Sequence, residues 1–343
     1  MRARRAKLRD DVVTLAHGSG GKATRALVEG LFLEELGNPL LEPLGDSALL
    51  EVGGARLAFT TDSYVVKPLF FPGGDIGQLA VHGTVNDLAV AGAQPLALSA
   101  GFVIEEGFPV VDLRRIAASM GRAAAEAGVP VATGDTKVVE RGNADGLYVT
   151  TAGVGIVAPG ARLGAEHVRL GDRVLVSGTL GDHGMAVMVA RGDLQLEVDL
   201  QSDTAPVHGL TAALLELGDA VRWLRDPTRG GLATALNELA EQAGLAVALE
   251  ERALPLRAEV VGTCEILGID PLYVASEGRV VAIVEAGFAE QAVELMRAHP
   301  LGVDAAIVGE IVDEPAGMVV LRTGLGGSRI VDMLVGDPLP RIC

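Results

Sequence analysis

Four aspartates in the first half of the sequence share one local context. Each lies where an apolar segment meets small or polar residues, and they are Asp46, Asp62, Asp87 and Asp135. A single aspartate in such a place usually closes a turn or caps a helix. Four of them in one acidic domain could converge on one edge of a sheet, where carboxylate oxygens and substrate phosphates hold Mg²⁺. These four carboxylates are therefore candidates for a metal site, with turn or cap roles as the alternative.

Glycine-rich turns are a second candidate binding feature. The first turn comprises His17, Gly18, Ser19, Gly20 and Gly21, and its backbone N–H groups can approach a phosphate closely. Two further glycine pairs open predicted helices, and their turns contain Asp75 and Arg229. Asp75 is also a candidate N-cap of the helix that follows it. An anion could sit at either helix start. A Walker A loop and a Rossmann fingerprint are both absent from the sequence, so ATP would have to bind in another way.

Other polar side chains adjoin these features. Asn86 and Thr136 neighbour two of the aspartates, and we expect both to contact a nucleotide. Lys137 could lie over the phosphates or be an ordinary exposed lysine. Glu277 precedes a predicted buried strand, where it could act as a general base or belong only to a turn. The six histidines show no metal-ligand spacing, and we interpret His183 as a turn residue.

The two cysteines occupy very different contexts. Cys343 is the last residue of the sequence, and Pro338 and Pro340 before it disfavour a helix or a sheet interior. Such a tail would run extended and could carry a thiol-bound group between sites, or it could be an ordinary frayed end. Cys264 lies in an apolar helical pattern, which predicts a buried thiol. Two cysteines make neither a disulfide framework nor a zinc cluster, and they are typical of a reducing cytoplasm.

The elements that would position these residues form an α/β chain of two domains. The 343 residues exceed one ordinary core, and helices alternate with strands on both sides of a relaxed stretch at 158–171. Within the first domain, the pattern from Leu44 to Thr61 predicts two strands joined by a hairpin turn at Gly53-Gly54. The predicted units are a lead with the glycine loop and a helix (1–42), a first domain (43–160), a second α/β domain (165–336) and a tail (337–343). Residues 1–9 are expected to be a disordered lead.

Charge and hydrophobicity exclude several kinds of partner. The net charge of −17 disfavours nucleic acid, because an acidic chain repels phosphodiester backbones. Every apolar run is shorter than a membrane span, which predicts no membrane association. The basic N-terminus has no apolar segment behind it and is not a secretory signal. We expect a cytoplasmic protein.

Five segments of the sequence resemble one known family. They are residues 14–21, 61–66, 72–77, 133–139 and the tetrad Pro340-Arg341-Ile342-Cys343, which is the most specific of them. These segments are similar to the HypE family of hydrogenase maturation proteins, and the likeness runs from about Val13 to Cys343. That family resembles, in its PurM-like fold, the aminoimidazole ribonucleotide synthetase, selenophosphate synthetase and thiamine-monophosphate kinase group.

The resemblance implies a fold and a site. Two α/β domains with mixed sheets are expected, and the first domain would form a β-barrel with that of a second copy in a homodimer. ATP and Mg²⁺ would lie near that interface. The four aspartates would be the ligands of metal and phosphate, and the loop at 17–21 would be a mobile cover.

The resemblance also implies a reaction on the chain itself. In the family, ATP drives the dehydration of a carbamoyl group held on the C-terminal cysteine, which gives a protein thiocyanate and supplies a cyanide ligand for the iron of NiFe hydrogenase. As hypotheses, we assign Lys137 to the transferred phosphoryl group and Glu277 to the proton on nitrogen. A carbamoyltransferase would load Cys343, and an iron-bearing maturation scaffold would receive the cyanide.

Two other functions fit part of the pattern. A kinase or synthetase of the same fold, acting on a free small molecule, explains the aspartates and the glycine loops but gives Cys343 no role. An ATP-sensing scaffold without catalytic activity would use the tail only for docking. In such a scaffold, Glu277 would be dispensable.

Overall fold

The computed structural model describes residues 7–192, 198–336, 339 and 341–343. The first six residues of the expected disordered lead lie outside the described residues, as do Pro338 and Pro340 of the expected extended tail. The described chain forms two large sheets with helices packed on them. Between the sheets, the stretch at 158–171 contains only a 3₁₀ turn, Ala165–His167.

The first sheet belongs to the N-terminal half of the chain. Its five strands are β1 (Ala48–Val52), β2 (Ala55–Tyr64), β5 (Ala93–Glu105), β6 (Val131–Val139) and β7 (Leu147–Val157). A separate two-stranded pair is formed by β3 (Phe70–Phe71) and β4 (Gly74–Asp75). The order in the sheet is β1-β2-β7-β5-β6, and only β5 and β6 run parallel. The predicted hairpin at Gly53-Gly54 is confirmed, because β1 and β2 pair directly across it.

The second sheet belongs to the C-terminal half. Its strands are β8 (Arg173–Val176), β9 (Val221–Arg225), β10 (Ala246–Glu250), β11 (Val281–Val284), β12 (Ala306–Val312), β13 (Val319–Arg322) and β14 (Ser328–Val331). The order is β14-β13-β10-β12-β8-β11-β9, with one parallel pair, β10 and β13. The mixed α/β class that the sequence predicted is therefore confirmed in both halves.

The α-helices are α1 (Lys22–Leu27), α2 (Leu33–Leu36), α3 (Ile76–Val90), α4 (Val110–Ala127), α5 (Asp182–Ala190), α6 (His208–Leu215), α7 (Gly231–Ala243), α8 (Ala258–Leu267) and α9 (Ala289–Ala298). None of the described helices combines the length and the apolar composition needed to cross a membrane. Cys264 is confirmed as a buried residue of α8, with 1% of its surface exposed.

Helix α3 joins the two halves of the molecule. It is apolar on nearly all sides, so burial on every face is the stable arrangement. Its first turns pack with the first sheet, whereas Ala89 and Val90 belong to a core cluster with residues of the second domain such as Leu224. This position places the polar residues at the C-terminal end of α3 in the cleft between the domains.

Candidate active site

Three carboxylates meet in the cleft between the domains. Asp46 lies in the loop before β1, Asp87 near the end of α3, and Asp226 directly after β9. One oxygen from each lies within 4.8 Å of the other two. Asp46 also lies 3.0 Å from Arg225 Nε, and Asp87 accepts a hydrogen bond from Thr60 at 2.7 Å. This set of oxygen donors is the kind that a hard divalent cation such as Mg²⁺ prefers.

Burial and mutual repulsion disfavour the charged form of these carboxylates. Burial, with a contribution from the charge of Asp46, raises the pKa of Asp226 to about 8. Burial, followed by Asp62 and Asp226, raises the pKa of Asp87 well above its usual value. Burial also raises the pKa of Asp46, although Arg225 opposes the shift. A cation bound between the carboxylates would favour the ionised forms, so the cleft is electrostatically suited to one.

Asp226 is the member of this cluster that was not predicted from the sequence to be a ligand. The available signal was its position at the end of an apolar segment, which is the context that the four predicted aspartates share. The assignment was missed because Asp226 belongs to the second domain, and the cluster forms only when the two domains pack together.

Glu277 and Cys343 line a small chamber beside the acidic cleft. The chamber has a volume of about 40 Å³, and its walls also include Asp62, Tyr64, Asp87, Asp226 and Arg229. Glu277 is 2% exposed, and burial, followed by the charge of Asp226, raises the pKa of its carboxyl group well above the usual value. Among the described residues, its Oε1 atom has no hydrogen-bond partner. The arrangement therefore places a buried carboxyl group with a raised pKa in the same chamber as the cysteine.

The tail enters the protein and carries Cys343 to this chamber. Cys343 is 9% exposed, and Ile342 is buried. The backbone N–H groups of Val65 and Lys67 donate to the carbonyl oxygens of Cys343 and Arg341, both at 3.1 Å. The tail thus runs antiparallel to the segment that follows β2. The sequence left the position of the tail open, and in this structure the tail is directed inward.

Side chains also fasten the tail. Arg341 donates through Nε to the carbonyl of Val65 at 3.0 Å and through Nη1 to Asp145. Arg191 donates to the carbonyl of Arg341 at 2.8 Å. The φ angle of Arg341 is 56°, which is left-handed, so the expected extended geometry is interrupted at this residue. A simple frayed end would have none of these contacts.

The glycine loop at 17–21 lies against the site. It borders a cavity of about 160 Å³ that is shared with Arg229 and the tail. A Cβ atom on Gly20 would lie 2.9 Å from the carbonyl oxygen of Arg229, and one on Gly21 would lie 2.2 Å from that of Leu334. Glycine is therefore required for this close approach.

The other residues of this loop divide between the lining of the cavity and internal support. Gly18 and Ser19 line the cavity, and the hydroxyl of Ser19 donates to the carbonyl of Ala16 at 2.9 Å. His17 is buried, and its Nδ1 atom accepts the backbone N–H of Thr14 at 3.0 Å. In this structure, His17 supports the turn rather than facing the cavity.

Two residues expected to contact a nucleotide have structural partners instead. Asp75 caps α3, because its Oδ1 accepts the N–H groups of Gly77 and Gln78 at 2.8 and 3.1 Å. Asn86 donates to the carbonyls of Glu277 and Ala205, and its oxygen accepts the backbone N–H of Val207. The amide of Asn86 thus fixes the backbone at Glu277.

Asp135, Thr136 and Lys137 lie away from the cluster within one chain. They belong to β6, the edge strand of the first sheet, and the side chains of Asp135 and Lys137 are each 69% exposed and 2.9 Å apart. Across the sheet, Asp62 is in line with Gly134 three strands away, which corresponds to about 14 Å. One chain alone does not bring these residues to the other carboxylates.

The fold and the cleft define a two-domain protein of the AIR synthase class. Residues 44–157 match the family of the AIR synthase related protein, N-terminal domain, and residues 169–322 match the corresponding C-terminal domain. The carbamoyl dehydratase HypE of Azotobacter vinelandii is 54% identical over 339 residues, with 99% of each chain covered. The chain belongs to the HypE family of carbamoyl dehydratases, and it is an enzyme of hydrogenase maturation.

Solved structures of this family agree with the fold. One chain in a crystal structure of a HypE–HypF complex is 49% identical, with a TM-score of 0.86, and the match covers 90% of this chain and all of that one. A crystal structure of hydrogenase maturation protein HypE in complex with ATP is 46% identical, with a TM-score of 0.81, and the match covers 97% of this chain and all of that one.

Proposed function

We propose that this chain uses Mg²⁺ and ATP to dehydrate a carbamoyl group carried on the sulfur of its own Cys343, which gives a thiocyanate. The single observation that carries the proposal is the docked tail, which places Cys343 in one chamber with Glu277 beside the acidic cleft. The relative whose crystal structure contains ATP supports the choice of nucleotide.

The acidic cleft is the proposed metal site. Asp46, Asp87 and Asp226 would hold the cation, with Asp62 close enough to contribute to their electrostatics. When bound with ATP, Mg²⁺ supplies neutralising charge at the phosphates and helps to orient the γ-phosphoryl group. Asp226 is buried and the other two carboxylates are half-buried, and all three have raised pKa values. They fit this role, because a divalent cation compensates for their repulsion.

The chemistry converts a poor leaving group into a good one. The carbamoyl oxygen attacks the γ-phosphorus of ATP and ADP leaves, while one N–H proton is lost and a C=N bond forms. The C–O bond then breaks, phosphate departs, and loss of the second N–H proton completes the C≡N bond. Glu277 is proposed to accept a proton from nitrogen, since its raised pKa makes its ionised form a strong base.

The thiol of Cys343 must be loaded with a carbamoyl group before the reaction and must give up its cyanide afterwards, so two partner proteins are proposed. The relative crystallised with HypF supports a HypF-like carbamoyltransferase as the protein that loads Cys343. We propose that an iron-bearing maturation scaffold accepts the cyanide. Both exchanges require that the tail leave the chamber, because Cys343 is almost fully covered when it is docked.

A homodimer is proposed to complete the site. Strand β6 is exposed along nearly its whole length and is an unpaired edge in one chain, so a second copy could cover it. In a two-fold dimer, Asp135, Thr136 and Lys137 of one copy would approach the cleft of the other. Lys137 would then contact the transferred phosphoryl group from across the interface.

The role of Lys137 can be tested by subunit complementation. Lys137→Ala and Glu277→Gln homodimers should each fail to convert a loaded tail. When the two proteins are mixed and their subunits exchange, about a quarter of the wild-type activity should return. Half of the dimers are then mixed, and one of the two sites in each mixed dimer is intact. Intact-protein mass spectrometry should find the converted tail only on the Lys137→Ala chain. Absence of restoration in demonstrated mixed dimers would place Lys137 outside the partner's site.

The metal site can be tested with Asp226→Asn. Loss of one of three carboxylate ligands should weaken Mg²⁺-dependent ATP binding by more than about tenfold, measured by titration calorimetry. Asp219→Asn is the matched control, since Asp219 is exposed in the same domain. Unchanged Mg²⁺-dependent binding in Asp226→Asn would contradict the proposed cation position.

A further inference from the structure

His183 is a buried histidine that contacts the tail, although the sequence pattern was interpreted as a turn at this position. Helix α5 begins at Asp182, so His183 lies in the first turn of the helix. It is 0% exposed and packs edge-on against the ring of Phe71, with the ring centroids 5.5 Å apart. Its Nε2 atom lies 2.6 Å from the carbonyl oxygen of Ile342.

The hydrogen bonds around His183 assign its tautomer. The hydroxyl oxygen of Ser202 accepts the backbone N–H of Thr204 at 3.1 Å, which leaves the hydroxyl proton to donate to Nδ1 of His183 at 2.8 Å. Nδ1 is therefore the acceptor of the ring, and Nε2 carries the hydrogen that is donated to Ile342. Burial lowers the pKa of His183 to about 4, so the neutral ring persists at physiological pH.

The position of this bond complements the backbone pairing of the tail. The carbonyls of Arg341 and Cys343 accept from the segment at 65–67 on one side. The carbonyl of Ile342, which lies between them in the sequence, is contacted by Nε2 of His183. His183 therefore adds a hydrogen bond to the backbone of the tail from a second element of the fold, α5.

We propose that His183 is a positioning residue that holds the docked tail in place by donating from Nε2 to the carbonyl of Ile342, so that Cys343 lies at the chamber with Glu277. Its effect on docking stands on the contacts alone. Its effect on catalysis rests on the proposed function.

The docking effect is measured by alkylation of Cys343 with iodoacetamide, quantified by peptide mass spectrometry. His183→Leu removes both ring nitrogens at similar bulk, and the alkylation rate of Cys343 should rise about tenfold because the tail spends more time outside. Cys264 is an internal reference for folding, since it is buried and burial raises the pKa of its thiol to about 12. His183→Gln restores an N–H donor and should return the rate toward that of the wild type.

Two further variants keep the proposal falsifiable. His208→Leu is the control, because His208 is partly buried at the start of α6 and should leave the alkylation of Cys343 unchanged. Ser202→Ala removes the hydroxyl that fixes the tautomer and should raise the alkylation rate less than His183→Leu does. If Cys264 also becomes reactive in His183→Leu protein, that variant is not properly folded. The alkylation rate of Cys343 in Ser202→Ala protein then tests the proposal in its place. An unchanged rate for Cys343 in a folded His183→Leu or Ser202→Ala protein would overturn the proposal.

The catalytic effect is measured in a single turnover on protein already loaded with carbamoyl. His183→Leu should slow conversion about tenfold without changing the apparent affinity for ATP, because the residue acts on the tail and not on the nucleotide. Failure of wild-type protein to convert the group with ATP would contradict the proposed function but leave the alkylation result intact. Normal conversion in His183→Leu, with wild-type turnover present, would refute the positioning role in catalysis.

Discussion

Glu277→Gln protein should accept a carbamoyl group on Cys343 and then fail to convert it. The glutamine keeps the size of the side chain but cannot accept the proton that leaves nitrogen. Loss of a positioned general base typically reduces the rate by 10² to 10⁴, and we expect about a thousandfold decrease in single-turnover conversion. Loading should continue, because it takes place with the tail outside the chamber.

The pH dependence of conversion gives this prediction a second readout. Burial, together with Asp226, Asp203 and Asp62, raises the pKa of Glu277, and Arg229 opposes the shift. Since the base is the deprotonated form, the wild-type rate should rise as pH increases through that pKa. The residual rate of Glu277→Gln should lack this rise.

A matched control separates the loss of the base from a general change in the fold. Glu265→Gln makes the same substitution at an exposed residue of α8 and should retain wild-type conversion. Thermal unfolding should show that Glu277→Gln is folded, because the amide has nearly the size of the carboxyl group and adds no charge to a buried acidic environment. Near-normal conversion by Glu277→Gln would mean that another group removes the proton.

Cys343→Ser protein should yield no thiocyanate while it still binds ATP. The substrate is attached to the sulfur of Cys343, so the substitution removes the site of attachment and leaves the cleft untouched. Cys264 cannot replace it, because that thiol is buried and its pKa is raised to about 12. The measurement is mass spectrometry of the C-terminal peptide after incubation with the carbamoyl donor system and Mg·ATP.

Cys264→Ala is the control for this experiment and should convert its tail normally. The same pair of variants distinguishes the two classes of enzyme that the sequence left open. A kinase or synthetase acting on a free small molecule would keep its activity in Cys343→Ser protein. Thiocyanate formed elsewhere on the Cys343→Ser chain would contradict the assignment of the tail cysteine.

Features determined by local sequence were predictable. The hairpin at Gly53-Gly54 and the cap of α3 at Asp75 are both where the sequence placed them, because turn geometry and capping depend on neighbouring residues. The same locality explains why Asp75 was assigned two roles. From the sequence, an aspartate before a helix is equally consistent with a cap and with a ligand. The structure shows that Oδ1 of Asp75 accepts two backbone N–H groups of the helix.

Features that depend on packing between distant segments were not predictable from one chain. Asp226 joins Asp46 and Asp87 only because α3 and β9 meet at the domain boundary. His183 gains its role from the carbonyl of Ile342, which is 159 residues away in the sequence. Asp135 has the local pattern of a ligand, but the sheet order places it at the far edge, where its proposed role needs a second copy.

Intact-protein mass spectrometry of the full chain, loaded by its carbamoyl donor system and then given Mg·ATP, shows whether Cys343 carries the reacting group. We expect a carbamoyl adduct on Cys343 that loses the mass of one water only when ATP is present. An adduct that stays unchanged with ATP, or an unmodified Cys343 while ATP is consumed on an added small molecule, would contradict it.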